Sequence, residues 1–222
     1  MTTNKLTLGY WVVRGNAQPA RTLLEYLQLP YDQDLYKDQE AWQTKREGFG
    51  HRFPNLPYLI DGEKAITESD AIIAYICLKA GKPEMAGKSE DFIDFLQIKG
   101  IIADIRVGLS MAVYGAKEKE DIPKIIEARI TGNGGTKFND LNEILGEKEW
   151  LMGYLTYLDF CFAELLERFQ DMDAELGMTT LEPYPNLQAY LKRFIELPRV
   201  KEYRASERFK ARPYNNSGAK WF

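Results

Sequence analysis

The hydrophobic pattern changes character near residue 83. Before that point, short apolar or alternating runs interleave with helical stretches. Leu6 to Val13 reads as a strand, and Gln18 to Gln28 as a helix burying Ala20, Leu23, Leu24 and Leu27. Pro19 falls in that helix's first turn, where its missing donor costs nothing. Tyr31 to Tyr36 is a second strand, and the strand–helix–strand order implies a right-handed crossover and a parallel pair. Residues 38–50, around Trp42, are polar and read as irregular. A strand after Pro57, an Asp61-Gly62 turn, a strand at Lys64 to Ile66 and a helix from Ser69 to Lys79 follow.

Gly81-Lys82-Pro83 reads as a linker. From Ser89 the pattern is helical throughout, with Phe92, Phe95, Leu96, Ile102, Ile105, Leu109 and Ala112 on one apolar face. Asp121-Ile122-Pro123 starts another helix. The run Ile130 to Gly135 interrupts it, since adjacent glycines are costly inside a helix, and predicts a loop or insertion. Phe138, Leu141, Ile144 and Leu145 resume helical spacing. Thr156 and Asp159 form a capping box for a helix ending near Gln170. Pro185 to Glu196 and Pro198 to Tyr203 are helices, and the basic, aromatic tail from Arg204 is expected to pack at the domain junction. An α/β domain over residues 1–82 and an all-helical domain over residues 89–222 follow.

Composition narrows the function classes. Apolar residues make up 45% of the 222, enough for a sizeable core. The net charge of −4 with interspersed signs excludes the basic face of a nucleic-acid binder. No apolar run reaches the roughly 20 residues of a membrane span, and Met1 to Lys5 lacks a signal-peptide pattern. Cys77 and Cys161 sit in helical, apolar surroundings and read as reduced residues of a cytoplasmic protein. His51, the single histidine, lies in a Gly- and Arg-rich loop, so no histidine-based metal site or triad is expected.

The most informative stretch is Phe53-Pro54-Asn55-Leu56-Pro57-Tyr58-Leu59-Ile60-Asp61-Gly62. A proline opening a strand donates no ladder hydrogen bond. A cis Leu56-Pro57 turn would present the Leu56 backbone outward, ready to pair with an extended peptide. Thr67-Glu68-Ser69-Asp70 then starts a helix whose free N–H groups suit an anion. A small peptide bearing a carboxylate is the implied ligand. Together with Leu8-Gly9-Tyr10-Trp11 and Thr156-Tyr157-Leu158-Asp159, these segments resemble a cytosolic glutathione transferase. The resemblance is nearest to the mu class, has pi- and sigma-like features, and spans Leu6 to Trp221. It implies a thioredoxin-like first domain and an all-α second domain.

It also implies chemistry. Glutathione attacks electrophiles as its thiolate, whose thiol has an ordinary pKa of about 8.5. Lowering that by two units requires about 2.7 kcal/mol of preferential thiolate stabilisation. Tyr10 matches the family's catalytic tyrosine, at a strand end expected to expose it, and its neutral hydroxyl can donate to the sulfur. Trp11, Trp42, Arg46 (with Lys45 as neighbour), Asn55, Leu56, Glu68 and Ser69 match positions that hold the tripeptide. Asp104, ten residues before Tyr114, matches a contact reaching the ligand's ammonium from the other subunit. Val13, Asn16, Ser110 and Tyr114 match the electrophile pocket, made more polar than usual by Asn16 and Ser110. Phe53 matches an aromatic key inserted into the partner of a homodimer. Reduced glutathione is thus the co-substrate, a hydrophobic electrophile the second substrate, and detoxification the implied role, with no cofactor or metal.

Two readings compete: an enzyme conjugating glutathione, or isomerising a substrate with it, and a non-catalytic structural or ligand-carrying dimer. Tyr10, Ser69 and Asp104 favour the enzyme. The Gly132 to Gly135 segment and the polar pocket keep the alternative open, and the enzyme is the favoured reading.

Overall fold

Alternation along Leu6–Trp11 (β1) buries Leu6, Leu8 and Tyr10 on one side of a strand. In the computed structural model, which describes residues 5–132, 136–210 and 213–221, β1 lies inside a four-stranded sheet. The other strands are Tyr31–Tyr36 (β2), Tyr58–Asp61 (β3) and Lys64–Thr67 (β4), in the order β2-β1-β3-β4. β1 pairs parallel with β2, as the strand–helix–strand order predicts, and antiparallel with β3. Gln18–Tyr26 (α1) makes the crossover with proline in its first turn, and Ser69–Lys79 (α3) follows the β3–β4 hairpin. Leu56-Pro57 is cis. Lys79 and the Tyr75 hydroxyl both bind Asp61, at 2.6 and 2.7 Å, and hold its carboxyl below the usual range, which ties the hairpin to α3.

One expectation fails here. Residues 38–50 are not irregular: Gln39–Glu47 forms a helix (α2), capped by Asp38, whose carboxylate accepts the Ala41 N–H at 2.9 Å. Its single buried side chain, Trp42, leaves no apolar stripe in the sequence to announce it.

The chain divides into two units: Met1–Ala86 with Pro198–Tyr214, and Gly87–Leu197 with Asn215–Phe222. The helices Pro198–Ala205 (α9) and Glu207–Lys210 (α10) thus belong to the first unit. Gln18 donates to the Tyr203 hydroxyl at 3.3 Å, linking α1 to α9.

The second unit is helical: Phe92–Gly115 (α4), Ile122–Ile126 (α5), Thr136–Leu145 (α6), Tyr157–Leu176 (α7) and Pro185–Ile195 (α8). α7 runs one and a half turns beyond the predicted Gln170 and buries twelve residues. α5 continues as a π-helical turn, Glu127–Thr131, closed by a bond from the Gly132 N–H to the Glu127 carbonyl. The glycine-rich break therefore begins as a widened helix, while Asn133, Gly134 and Gly135 lie outside the described residues. Phe92 and Leu96, expected on the buried face of α4, are each 43% exposed because that face turns inward at Phe95 and Ile98.

The capping box is present and larger than the sequence shows. Asp159 is fully buried and accepts bonds from the Thr156 N–H (2.7 Å), the Thr156 hydroxyl (3.0 Å), the Leu151 N–H (3.1 Å) and the Tyr190 hydroxyl (2.8 Å). Burial nonetheless raises its carboxyl pKa against the effect of these donors.

The tail divides between the units: Tyr214 is buried in the first, while the Trp221 indole donates to Glu175 at 2.7 Å in the second. Among the described residues, no helix is long and apolar enough to cross a membrane, and no group of three His, Cys, Asp or Glu side chains could hold a metal.

Candidate active site

Tyr10 lies near the end of β1, but it is not exposed: 7% of its surface is accessible, and it packs with Val13 and Ala17. The cause is the turn that follows the strand. The chain folds back at Gly15, with φ +41°, and a Cβ there would stand 2.6 Å from the Tyr10 hydroxyl, so only glycine fits beneath it. The next residue, Asn16, donates its backbone N–H to that hydroxyl at 3.0 Å. A phenol accepting one bond still carries a proton to donate.

The loop is held from below by Arg21, which is fully buried on α1. Its guanidinium donates to the carbonyls of Val13 (2.8 Å), Arg14 (3.3 Å) and Trp11 (3.3 Å) and to the Gln33 side chain (3.1 Å). It sits 5.7 Å from the centre of the Tyr10 ring, a buried positive charge that favours negative charge nearby. The sequence signal for Arg21 is slight: an arginine standing among the apolar residues of α1.

A second cluster adjoins the first. Tyr36, Trp42 and Tyr58 are buried together, and Trp11 and Leu56 pack against both clusters. Trp42 stacks on Tyr58 at 6.2 Å and meets the edge of Tyr36 at 5.6 Å. Gly9 permits this, since a side chain there would strike the Tyr58 ring. The Tyr36 and Tyr58 hydroxyls are 2.8 Å apart, and Tyr58 donates to Asp34 at 2.6 Å. Burial, with the Asp34 bond, drives Tyr58 far above the usual tyrosine range and keeps it a donor. Asp34 also draws Lys45, 3.8 Å away, whose ammonium lies 5.9 Å from the Tyr58 ring centre. Arg46, one turn beyond Trp42, is exposed.

The proline turn and the start of α3 are joined through Asn55. Its side-chain oxygen accepts the Leu56 N–H at 2.9 Å, and its amide donates to Glu68 at 3.1 Å. The Leu56 N–H is therefore answered within the turn rather than presented outward; the Asn55 side chain can reach it because the two are sequence neighbours. Glu68 caps α3 at φ +70°, a left-handed conformation rare for a side chain of its size and concentrated at functional sites. Ser69 follows as the first residue of the helix. Tyr10, Trp11, Trp42, Asn55, Leu56 and Glu68 are thus linked by shared packing or hydrogen bonds within one unit, and Ser69 adjoins Glu68 in sequence.

Val13, expected to line the electrophile pocket, is 6% exposed, because it packs under Tyr10. Asn16 is exposed. On α4 of the second unit, Asp104, Ser110 and Tyr114 are exposed; the Tyr114 hydroxyl accepts the Asn216 N–H at 3.4 Å, and Lys137 pairs with Asp104 at 2.6 Å. Phe53 is 59% exposed, in a loop where its N–H is bound by His51 at 3.0 Å, so it is not a core phenylalanine.

Comparison with known proteins agrees with this geometry. The glutathione S-transferase N-terminal domain model matches residues 6–77, and the C-terminal domain model matches residues 103–207. Glutathione S-transferase Mu 2 of Mus musculus is 32% identical over 97% of this chain and 98% of its own. A glutathione S-transferase of Mesocricetus auratus is 33% identical over the same shares. The crystal structure of the glutathione S-transferase Blo t 8 superposes with a TM-score of 0.84 at 30% identity, covering 96% of this chain and 98% of that one. On this combined evidence the chain belongs to the glutathione S-transferase family.

Proposed function

We propose that the Tyr10 phenol donates its hydrogen to the sulfur of bound glutathione and stabilises the thiolate that attacks a hydrophobic electrophile. The reaction class is the family's: a carbon–sulfur bond forms, the thiol proton passes to solvent, and the leaving group departs or the ring of a strained substrate opens. The observation that carries this reading is the Asn16 N–H on the Tyr10 oxygen, which fixes the phenol and, by drawing electron density from its oxygen, strengthens it as a donor. Trp11, Trp42, Arg46, Asn55, Leu56, Glu68 and Ser69 are assigned to the tripeptide. Its γ-glutamyl carboxylate meets the start of α3, and its glycine carboxylate meets Arg46. Lys45 is the weaker candidate, because Asp34 already engages it. Ser110 and Tyr114 on α4, and Asn16 beside Tyr10, are our candidates for meeting the electrophile.

Tyr10→Phe should lower kcat/KM toward an activated aryl halide by about 100-fold, equivalent to about 2.7 kcal/mol, with glutathione affinity kept within a few-fold. An unchanged kcat/KM would overturn the assignment.

We further propose a cytoplasmic homodimer with a detoxifying role. Cys77 is a buried thiol outside any disulfide, which fits a reducing compartment. Ile93, Val107 and Met111 stand 70%, 53% and 47% exposed along α4, and Phe53 is comparably exposed in its loop. An apolar helix face of this extent is suited to a second copy, and Asp104 would then serve the partner's ligand. Phe53→Ser should weaken the dimer by at least tenfold in sedimentation equilibrium, since a buried phenylalanine contributes about 1.5–3 kcal/mol. A wild-type protein that sediments as a monomer would refute the dimer.

A further inference from the structure

Three consecutive backbone N–H groups follow the buried Val13. Asn16 donates to the Tyr10 hydroxyl at 3.0 Å, whereas Arg14 donates to the Pro213 carbonyl at 2.8 Å and Gly15 to the Tyr214 carbonyl at 3.0 Å. The C-terminal segment thus fixes the turn one residue away from the bond that holds the phenol. Arg14 reinforces it from the other side. Its guanidinium is 4.1 Å from the Tyr214 ring centre and 4.6 Å from that of Phe209, and the side chain is 5% exposed. An arginine stacked between two rings and removed from water is a stiff joint, because cation–π attraction strengthens on desolvation.

We propose that Arg14, Phe209 and Tyr214 are positioning residues for the transferase reaction: they clamp the Gly15–Asn16 turn so that its N–H meets the Tyr10 phenol. None of the three needs to touch either substrate. Their effect passes through the turn, since a tenth-of-an-ångström drift of the Asn16 N–H changes both the orientation and the donor strength of the phenol. The inference rests on Tyr10 acting on the thiol, and its test separates the two claims.

The measurement is the ultraviolet absorbance of the bound glutathione thiolate, titrated against pH, in wild type, Tyr214→Leu, Phe209→Leu and Arg14→Lys, with melting temperatures recorded in parallel. Leu166→Ala, in the core of the second unit, serves as a control for lost stability without lost clamping. The clamp variants should titrate about half a unit to one unit above wild type. They should lose kcat more than they raise KM for glutathione, and Tyr214→Phe should restore the wild-type midpoint because the ring is kept. Leu166→Ala should melt earlier yet titrate as wild type does. If the clamp variants melt earlier but keep the wild-type midpoint, the positioning role is refuted while Tyr10 stands. If wild type itself titrates like free glutathione, the Tyr10 reading fails first. Should Arg14→Lys not fold, Phe209→Leu and Tyr214→Leu decide the question alone.

Discussion

Tyr10 in the first unit and Asp159 in the second are both polar groups taken almost wholly out of water, yet they are treated in opposite ways. Four donors converge on the Asp159 carboxylate from the Thr156 backbone and hydroxyl, Leu151 and Tyr190. Its accepting capacity is spent on fixing the start of α7. Tyr10 accepts the Asn16 N–H from the turn beyond its strand, which holds the phenol in one orientation. A buried carboxylate ringed by donors at the start of its own helix is a structural joint, whereas a buried phenol oriented by a single backbone N–H at a strand end is suited to act on a ligand.

The largest effect should come from the structural side. Asp159→Ala leaves the Leu151 and Thr156 N–H groups and the Tyr190 hydroxyl buried without their acceptor, and each orphan costs about 1–3 kcal/mol. A loss of about 3–5 kcal/mol in denaturant unfolding is expected, with little change in the titration of bound glutathione wherever the variant still folds. A loss below about 1 kcal/mol would mean that the knot is not the joint described here.

Lys45 and Arg46 carry the same contrast into the active site at smaller scale. Lys45 is engaged by Asp34 and the Tyr58 ring, so Lys45→Ala should alter melting slightly and KM for glutathione by less than about twofold. Arg46→Ala should raise that KM by about fivefold, in line with a solvent-exposed charge pair. The reverse order would exchange their roles.

Much of this was readable from the chain. The succession of strands and helices in the first domain, the hairpin, the start of α3 at Ser69 and the Thr156–Asp159 box follow from local patterns, because apolar periodicity and capping act over a few residues. A helix with one buried side chain has no stripe, so α2 is legible in the sequence only through its Asp38 cap. The strand pattern puts Tyr10 at an exposed end, because nothing local to it reveals that Gly15 folds over its hydroxyl. The Arg14 clamp and the Lys137–Asp104 pair join residues far apart in sequence, and no local pattern encodes such partners.

The most direct test of the central claim is the pH titration of glutathione bound to wild type and to Tyr10→Phe, followed by thiolate absorbance. A wild-type midpoint about two units below the ordinary thiol value of about 8.5, returning most of the way in Tyr10→Phe, is the predicted result. Two curves that coincide, or a wild-type curve matching free glutathione, would contradict it.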